Sequence, residues 1–239
     1  MDIKDKEQGA TKDFFWFKAK CRLVDILIAR LAVQNRMKIL SIGTGTGEEL
    51  AIFNHYGDVY VADMNQEILN SLPDHMAHEK RLASIEALPY QDNFFDAVGA
   101  LDVFEHVKHD SAAIAEIRRV LKPGGYVIFT VPAFNALYSG RDRALGHYRR
   151  YNRKTIDRLL CEMKKVDLGF WFCFLFVPVA IERILKRHSR QWKFHFKAVS
   201  PVLNTVLYYL LSLENLLIKK GIHLPWGITL YGMYKKPRL

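Results

Sequence analysis

Short apolar runs alternate with amphipathic stretches along the first two thirds of this chain. The runs at 37–42, 58–62, 81–85, 96–101 and 125–131 are bounded by glycine, aspartate, asparagine or proline, the punctuation expected of buried strands. Between and around them the pattern predicts helices from near Lys18 to Val33 and over 47–55, 65–71, 110–121 and 153–163. Strand and helix in alternation imply a mostly parallel sheet covered by helices on both faces. The Lys122-Pro-Gly-Gly125 turn ends one helix and restarts the chain as a strand. No internal repeat or low-complexity tract interrupts the pattern.

The last third departs from this alternation, with an apolar stretch at 166–181, a helix at 201–219 and a final strand at 227–235. Leu168 to Ile181 is a run of 14 residues without a charge, and residues 198 to 213 make 16 more. Both fall short of the roughly 20 residues that span a bilayer. In the second run Asn204, Tyr208, Ser212, Asn215 and Lys219 recur at spacings of 4, 4, 3 and 4, so a helix carries one narrow polar stripe and a broad apolar face. Between the two lie Arg183, Lys186, Arg187, Arg190, Lys193 and Lys197. Apolar faces joined by a basic cluster fit an interfacial membrane element, and they equally fit a helical cover closing a greasy pocket.

With 239 residues, half of them hydrophobic, the chain can bury a substantial core. Cys21, Cys161 and Cys173 lie far apart, without metal-binding spacing, which fits a reducing cytoplasmic compartment. Met1 to Thr11 alternates acid and base and lacks the apolar core of a secretory signal. Charge is uneven: residues 1–100 carry 11 Lys and Arg against 15 Asp and Glu, whereas residues 101–239 carry 24 against 10. The basic half calls for an acidic partner, whether anionic lipid, a phosphorylated substrate or nucleic acid.

The clearest chemical signal is Lys38-Ile-Leu-Ser-Ile-Gly-Thr-Gly-Thr-Gly-Glu-Glu-Leu50, an apolar strand running into three alternating glycines and then a helix. Such glycines let a nucleotide-type cofactor lie against the main chain. A dinucleotide fingerprint needs a glycine three residues after the second, and that place holds Glu48. The spacing therefore leans toward S-adenosylmethionine, which has no pyrophosphate to seat on a helix N-terminus. Asp63, at the end of the next strand and twenty positions beyond Gly43, is a carboxylate able to accept both ribose hydroxyls.

Further segments carry a resemblance: Phe15-Trp-Phe-Lys-Ala-Lys20, Leu88-Pro-Tyr-Gln-Asp-Asn-Phe-Phe-Asp96, Leu101-Asp-Val-Phe-Glu-His-Val107, Arg119-Val-Leu-Lys-Pro-Gly-Gly125, Val131-Pro-Ala133 and Gly146-His-Tyr-Arg-Arg-Tyr151. With these the chain resembles the class I S-adenosylmethionine-dependent methyltransferases, in particular a bacterial and archaeal branch of the type 11 family with a GHxRRY motif. The resemblance implies a single Rossmann-like α/β domain over 1–239 with a mostly parallel seven-stranded sheet and a helical, apolar insertion before the last strand. Residues 1–35 would cover the cofactor, and 134–225 would form the substrate side and its apolar cover. It puts the methionine part of the cofactor over Gly43, Thr44, Gly45, Thr46 and Gly47, the ribose on Asp63 beside Met64, the adenine near Ser84, Ile85 and Leu88, and the sulfonium near Leu101 and Asp102. Basic side chains would lie at Lys18 and Lys20, with Lys18 the one expected to pair with the methionine carboxylate. Two departures are notable: the family usually has an acid at Ser41 and often one at Ser84. Each lost charge-assisted hydrogen bond weakens binding by roughly 1 to 3 kcal/mol unless a neighbour such as Glu48 substitutes.

The acceptor side is expected after the fifth strand. Methyl transfer needs in-line placement, exclusion of water and a base for the acceptor proton. His147 and His106 are the candidates for that base. Tyr138, Asp142, Tyr148, Arg150 and Tyr151 are the expected substrate-binding residues, with Arg149 and Arg150 suited to gripping a phosphate or carboxylate. No metal is expected. The sequence thus reads as a cytoplasmic enzyme at the inner face of a membrane that transfers the methyl group of S-adenosylmethionine to a lipophilic or lipid-linked small molecule, with oxygen as the expected acceptor. The alternatives are a non-catalytic cofactor-binding accessory protein, motivated by Ser41 and Ser84, and a nucleic-acid methyltransferase, motivated by the net charge of +10 but lacking an RNA-binding appendage.

Overall fold

The computed structural model describes residues 13–31, 35–187 and 199–238. Seven strands, β1 Met37–Ile42, β2 Gly57–Asp63, β3 Glu79–Leu82, β4 Phe95–Leu101, β5 Leu121–Pro132, β6 Lys164–Trp171 and β7 Thr229–Lys235, form one sheet in the order β3-β2-β1-β4-β5-β7-β6. The first five are parallel, and β7 runs antiparallel between β5 and β6. The helices described are α1 Phe15–Ile28, α2 Leu50–Tyr56, α3 Gln66–Ser71, α4 Asp110–Val120, α5 Gly140–Leu145, α6 Arg153–Leu159, α7 Phe176–Leu185 and α8 Pro201–Lys219.

The strands read as continuous apolar runs because both faces of the sheet are covered. Successive side chains point to opposite faces, so Ile39, Val59, Val61, Ala97 and Ile128 pack on one side with Leu23, Leu27, Phe53, Leu211 and Ile218 of α1, α2 and α8. Leu40, Ile42, Tyr60, Val98, Val127 and Phe129 pack on the other with Ile114, Ile117 and Ile156 of α4 and α6. Strand order reverses between β1 and β4, so the loops leaving their C-terminal ends diverge and open a crevice there. That reversal fixes where a ligand can enter.

Most expected elements lie within a few residues of their place, and the departures have local causes. α2 begins at Leu50 rather than 47 because Gly47, at φ +77°, is outside helical geometry. β3 spans Glu79–Leu82 instead of 81–85, since this edge strand ends where Ile85 turns its apolar side chain down into the core. The apolar stretch at 166–181 divides between β6 and α7, broken by a turn containing Phe172 at φ +67°. α1 starts three residues earlier than Lys18, and the expected end at Val33 lies outside the described residues. Helix α5 was not anticipated. Ser139 and Asp142 form a capping box at its start and Gly146, at φ +82°, ends it, both signals present in the sequence.

The helix α8 is mounted inside out. Its polar stripe faces the protein: Asn204 accepts from the Phe15 backbone N–H at 2.8 Å, Asn215 donates to the Ala19 carbonyl at 2.9 Å, and buried Glu214 accepts from the N–H groups of Cys173 and Phe174 at 2.9 and 2.8 Å. Val202, Val206, Tyr209, Leu213 and Leu216, spaced 4, 3, 4 and 3, are left exposed. Pro201–Lys219 is long and apolar enough, by length and composition, to cross a membrane.

Candidate active site

A cavity of about 640 Å³ occupies the crevice at the C-terminal ends of β1, β2 and β4. The β1 loop contributes Gly43, Thr44 and Gly45 to its wall. Gly43 adopts φ +64°, and a Cβ there would meet Val103 Cγ2 at 2.9 Å, so both backbone angle and space demand glycine. Beyond β2, Asp63 and the exposed Met64 continue the wall, and Ile85 closes it from the loop after β3. Asp63 is buried and accepts from the Asn65 N–H at 2.9 Å. Burial pushes its carboxyl up, opposed by the backbone N–H groups of Asn65, Gly45, Met64 and Thr44. The roof is α1, through Trp16, Phe17, Lys20 and Cys21.

Several expected contacts fall elsewhere. Thr46, Gly47, Ser84 and Leu88 do not line the cavity. Ser84 instead accepts from the Glu86 N–H at 3.1 Å, a local turn. Lys18 is exposed, its ammonium over the Tyr208 ring at 4.7 Å. It is Lys20, two positions on and on another face of the helix, that enters the cavity. Lys20 donates to Asp102 Oδ2 at 2.5 Å, and Thr130 Oγ1 donates to Asp102 Oδ1 at 2.8 Å. Although burial opposes it, these partners hold the Asp102 carboxyl below its ordinary range and fix its charge beneath the cavity. Ser41 Oγ donates to Glu49 Oε1 at 3.4 Å, and Glu48 and Glu49 line the cavity whereas Ser41 does not.

The donor set fits S-adenosylmethionine. Buried Thr44 Oγ1 lines the cavity without a hydrogen-bond partner, and a buried polar atom of this kind calls for a ligand atom. Asp63 is available to ribose hydroxyls, Ile85 and Leu101 to an apolar ring, and Glu49 to an ammonium.

The far wall belongs to the segment after β5. His147 Nδ1 lies 3.0 Å from Asp142 Oδ1, and Arg150 Nε donates to the same oxygen at 2.8 Å. Asp142 Oδ2 accepts from the Ser139 N–H at 2.8 Å and its hydroxyl at 3.1 Å. Burial would raise the Asp142 carboxyl, but His147, Arg150 and Arg183 outweigh it and hold it well below the usual range. An ionised Asp142 accepts Nδ1–H and so leaves His147 Nε2 as the acceptor nitrogen. His106 also lines the cavity, its ring edge-on to His147 with centroids 4.6 Å apart. Tyr138 and Tyr148 line a separate shallow groove with Arg143 and Arg187, and the Tyr138 hydroxyl donates to the His147 carbonyl at 2.6 Å. Tyr151 is buried, bonded to the Phe104 carbonyl and Asp110, and lies outside the cavity wall. Arg149 pairs with Asp110.

Sequence reading missed Glu49, Glu105, Arg141 and Arg183 as cavity residues. Glu105, His106 and His147 present ligand atoms within 4.8 Å of one another, a donor set suited to a divalent transition metal. Burial and the Asp102 charge push the Glu105 carboxyl well up.

Residues 40–129, from β1 to β5, match the family model described as a methyltransferase domain. Over 110 residues it is 34% identical to the ubiquinone/menaquinone biosynthesis C-methyltransferase UbiE of Cupriavidus metallidurans, covering 42% of this chain and 45% of that protein. The chain thus spans about half the length of the curated relatives it matches. Among solved structures, a chain from the complex between the Haloferax volcanii Trm112 methyltransferase activator and a methyltransferase superposes with a TM-score of 0.63 at 17% identity, covering 98% of this chain and 94% of that one. Phosphoethanolamine N-methyltransferase 2 of Haemonchus contortus, solved with phosphomonomethylethanolamine and S-adenosylhomocysteine, gives 0.60 at 17% identity over 90% of this chain and 52% of that one. These structures share the fold. The methyltransferase domain match ends before the segment that carries His147, Arg150 and Arg183.

Proposed function

We propose that this chain is an S-adenosylmethionine-dependent methyltransferase of a lipophilic small molecule, in which one cavity joins a cofactor wall to an acid–base wall. The observation that carries this reading is the presence in a single cavity of Gly43, Thr44 and Asp63 on one side and the Asp142–His147 pair on the other. S-adenosylmethionine supplies an electrophilic methyl group when bound. Helix α1 then serves as the cofactor cover, and the described residues of 134–225 as the acceptor side. Asp63 holds the ribose, Glu49 takes the amine role that Ser41 cannot, and Lys20, partnered by Asp102, faces the carboxylate. His147 Nε2 takes the acceptor proton, Asp142 stabilises the imidazolium that results, and α1 excludes water. His106 stands beside it as a second acceptor-lining imidazole.

Oxygen is the acceptor atom that suits a single histidine base. A carbon acceptor is the second reading, favoured by the printed activity of the UbiE relatives, and it too needs a proton removed. The exposed apolar residues of α8, with Val177, Ile181, Ile184 and Leu185 on α7 and exposed Lys186, Arg187, Lys219 and Lys220 nearby in sequence, support attachment at the cytoplasmic face of an anionic membrane. Arg190, Lys193 and Lys197 of the expected basic cluster lie outside the described residues, and Arg183 turns inward. Burial of Arg141, Arg150 and Arg183 counts against a nucleic-acid surface.

Incubation with S-adenosylmethionine and a lipid extract should yield S-adenosylhomocysteine. The His147→Ala variant should keep cofactor affinity and lose about a hundredfold or more in turnover. Cofactor binding without turnover on lipid, small-molecule or RNA extracts would favour the accessory-protein reading, and turnover on RNA alone would favour the nucleic-acid reading.

A further inference from the structure

Glu105 and His106 belong to a short helical turn, Phe104–His106, that follows β4, and His147 stands in the segment after β5. The Tyr148 N–H donates to the Glu105 carbonyl at 2.7 Å, so the backbone ties the two segments together at this point. The His106 N–H donates to the Val103 carbonyl at 2.9 Å and closes the turn. One carboxylate oxygen and one ring nitrogen from each histidine thereby come within 4.8 Å of one another, and all three residues line the cavity. Glu105 is 1% exposed, and its Oε2 is enclosed without a hydrogen-bond partner. An oxygen taken out of water in that way needs a proton or a cation to offset its desolvation. His147 is prepared for a cation from its other side. Its Nδ1 lies 3.0 Å from Asp142 Oδ1, which fixes the ring and leaves Nε2 as the acceptor nitrogen. Metal-binding imidazoles are commonly backed by a carboxylate in this manner, which orients the ring and raises the basicity of the ligating nitrogen. His106, the exposed member of the set, makes other interactions that a metal bond would exchange.

We propose that Glu105, His106 and His147 form a binding site for a divalent transition metal, with zinc as the ion that their ligand set fits. Two imidazoles and one carboxylate are the ligand number and type of an open zinc site, which keeps a fourth position for water or another small oxygen ligand. Magnesium and calcium ask for more oxygen ligands than this cluster gives. Zinc bonds of about 2.1 Å set tetrahedral ligands about 3.4 Å apart, so side-chain rotation has at most about 1.4 Å of separation to take up. The exposed side chain of His106 is the one placed to make that movement. Zinc at this site holds the Nε2 atom that receives the acceptor proton in the proposed methyl transfer. One lone pair cannot serve both, so turnover stops in the zinc-loaded protein, while the cofactor wall across the cavity is left intact. The blockade rests on the methyltransferase reading, and the metal site does not.

The test titrates the full chain with zinc chloride, by calorimetry and by competition with a colorimetric chelator, before and after saturation with S-adenosylhomocysteine. Wild type should take up a single zinc ion in both states. Glu105→Gln, His106→Gln and His147→Gln should each weaken zinc binding by at least about tenfold, whereas His109→Gln, at an exposed position nearby, should leave it unchanged. Thermal unfolding separates a lost ligand from a lost fold, and exposed His106→Gln keeps the test decisive should Glu105→Gln fail to fold. Turnover of the wild type should fall at least about tenfold as zinc fills the site, and it should return when a chelator is added. In Glu105→Gln the zinc concentration for half-inhibition should rise at least about tenfold, measured against the metal-free rate of that variant. Absence of zinc uptake would overturn the proposal. So would an uptake that none of the three ligand variants weakens, which would mark an adventitious ion only. Bound zinc that leaves turnover unchanged, or raises it, would overturn the blockade of His147. Zinc uptake that the ligand variants abolish, in a protein that neither binds S-adenosylhomocysteine nor forms it from S-adenosylmethionine, would leave the metal site standing and sink the methyltransferase reading. Turnover without zinc uptake would do the reverse.

Discussion

Asp142→Asn is the most informative single change, because four donors converge on two fully enclosed oxygens: Arg150 Nε and His147 Nδ1 on one, the Ser139 N–H and hydroxyl on the other. An amide has one acceptor oxygen and one NH₂, so either orientation sets a donor against a donor. It also leaves buried Arg150 without a counter-charge, a loss of about 3–5 kcal/mol. For a domain of this size each kcal/mol lowers the unfolding midpoint by about 2–4 °C, which gives a fall of about 6–20 °C. Turnover should fall by about a hundredfold or more, since His147 loses the partner that fixes its tautomer. The change should also alter the acid limb of stability. The Asp142 carboxyl is depressed in the folded protein, so its contribution is fully present above about pH 4, the unfolded value, and is lost as pH falls toward and through the folded value. Glu49, Glu105 and Glu214 are shifted upward and act in the opposite sense, so the comparison that isolates Asp142 is the difference between wild type and variant. That difference should shrink as pH drops from 4 toward 2. Thermal unfolding monitored by circular dichroism across this range, with turnover at neutral pH, tests all three effects. A variant with an unchanged midpoint, or a stability gap independent of pH, would refute the reasoning.

Asp63→Ala should weaken S-adenosylmethionine several-fold to about a hundredfold by calorimetry, and unchanged affinity would remove the ribose assignment. Glu214→Ala should orphan the buried N–H groups of Cys173 and Phe174 and cost about 2–6 kcal/mol in denaturant unfolding. A loss below 0.5 kcal/mol, on the scale of ordinary surface changes, would mean that these donors find other partners. Co-sedimentation with anionic vesicles should fall with salt, and it should fall again when Val202, Val206 and Tyr209 become serine. No binding at low salt would return α7 and α8 to the role of a cover.

The strands, the glycine loop and Asp63 were legible because their signals are local: a run of apolar residues, an angle that only glycine tolerates, a carboxylate at a strand end. What escaped depends on helix phase and on packing between distant segments. Lys18 and Lys20 are equivalent in composition, and only the docking of α1 on Asn204 and Asn215 decides which of them enters the cavity. The stripe of Asn204, Tyr208 and Asn215 gave the helix two faces but not which of them would be inward. Arg183 read as one of six basic residues in a run, whereas α7 folds back and buries it. Glu49 meets Ser41 across eight positions, a pairing that needs the turn at Gly43 to Gly47 to be seen in three dimensions.

The inside-out mounting of α8 also dictates an order of assembly. α1 emerges first during synthesis, yet the groups that anchor it, Asn204 and Asn215, follow 189 and 196 positions later. Contacts of such sequence separation close late, after the strands between them have paired. The roof over the cofactor cavity is therefore completed late, its polar anchors adding to the apolar packing of α1 and α8 on the sheet. A ligand that binds only the roofed form stabilises this late step by mass action. Hydrogen exchange should accordingly slow in α1 and α8 together when S-adenosylhomocysteine is added, while β1, β4 and β5 keep their protection.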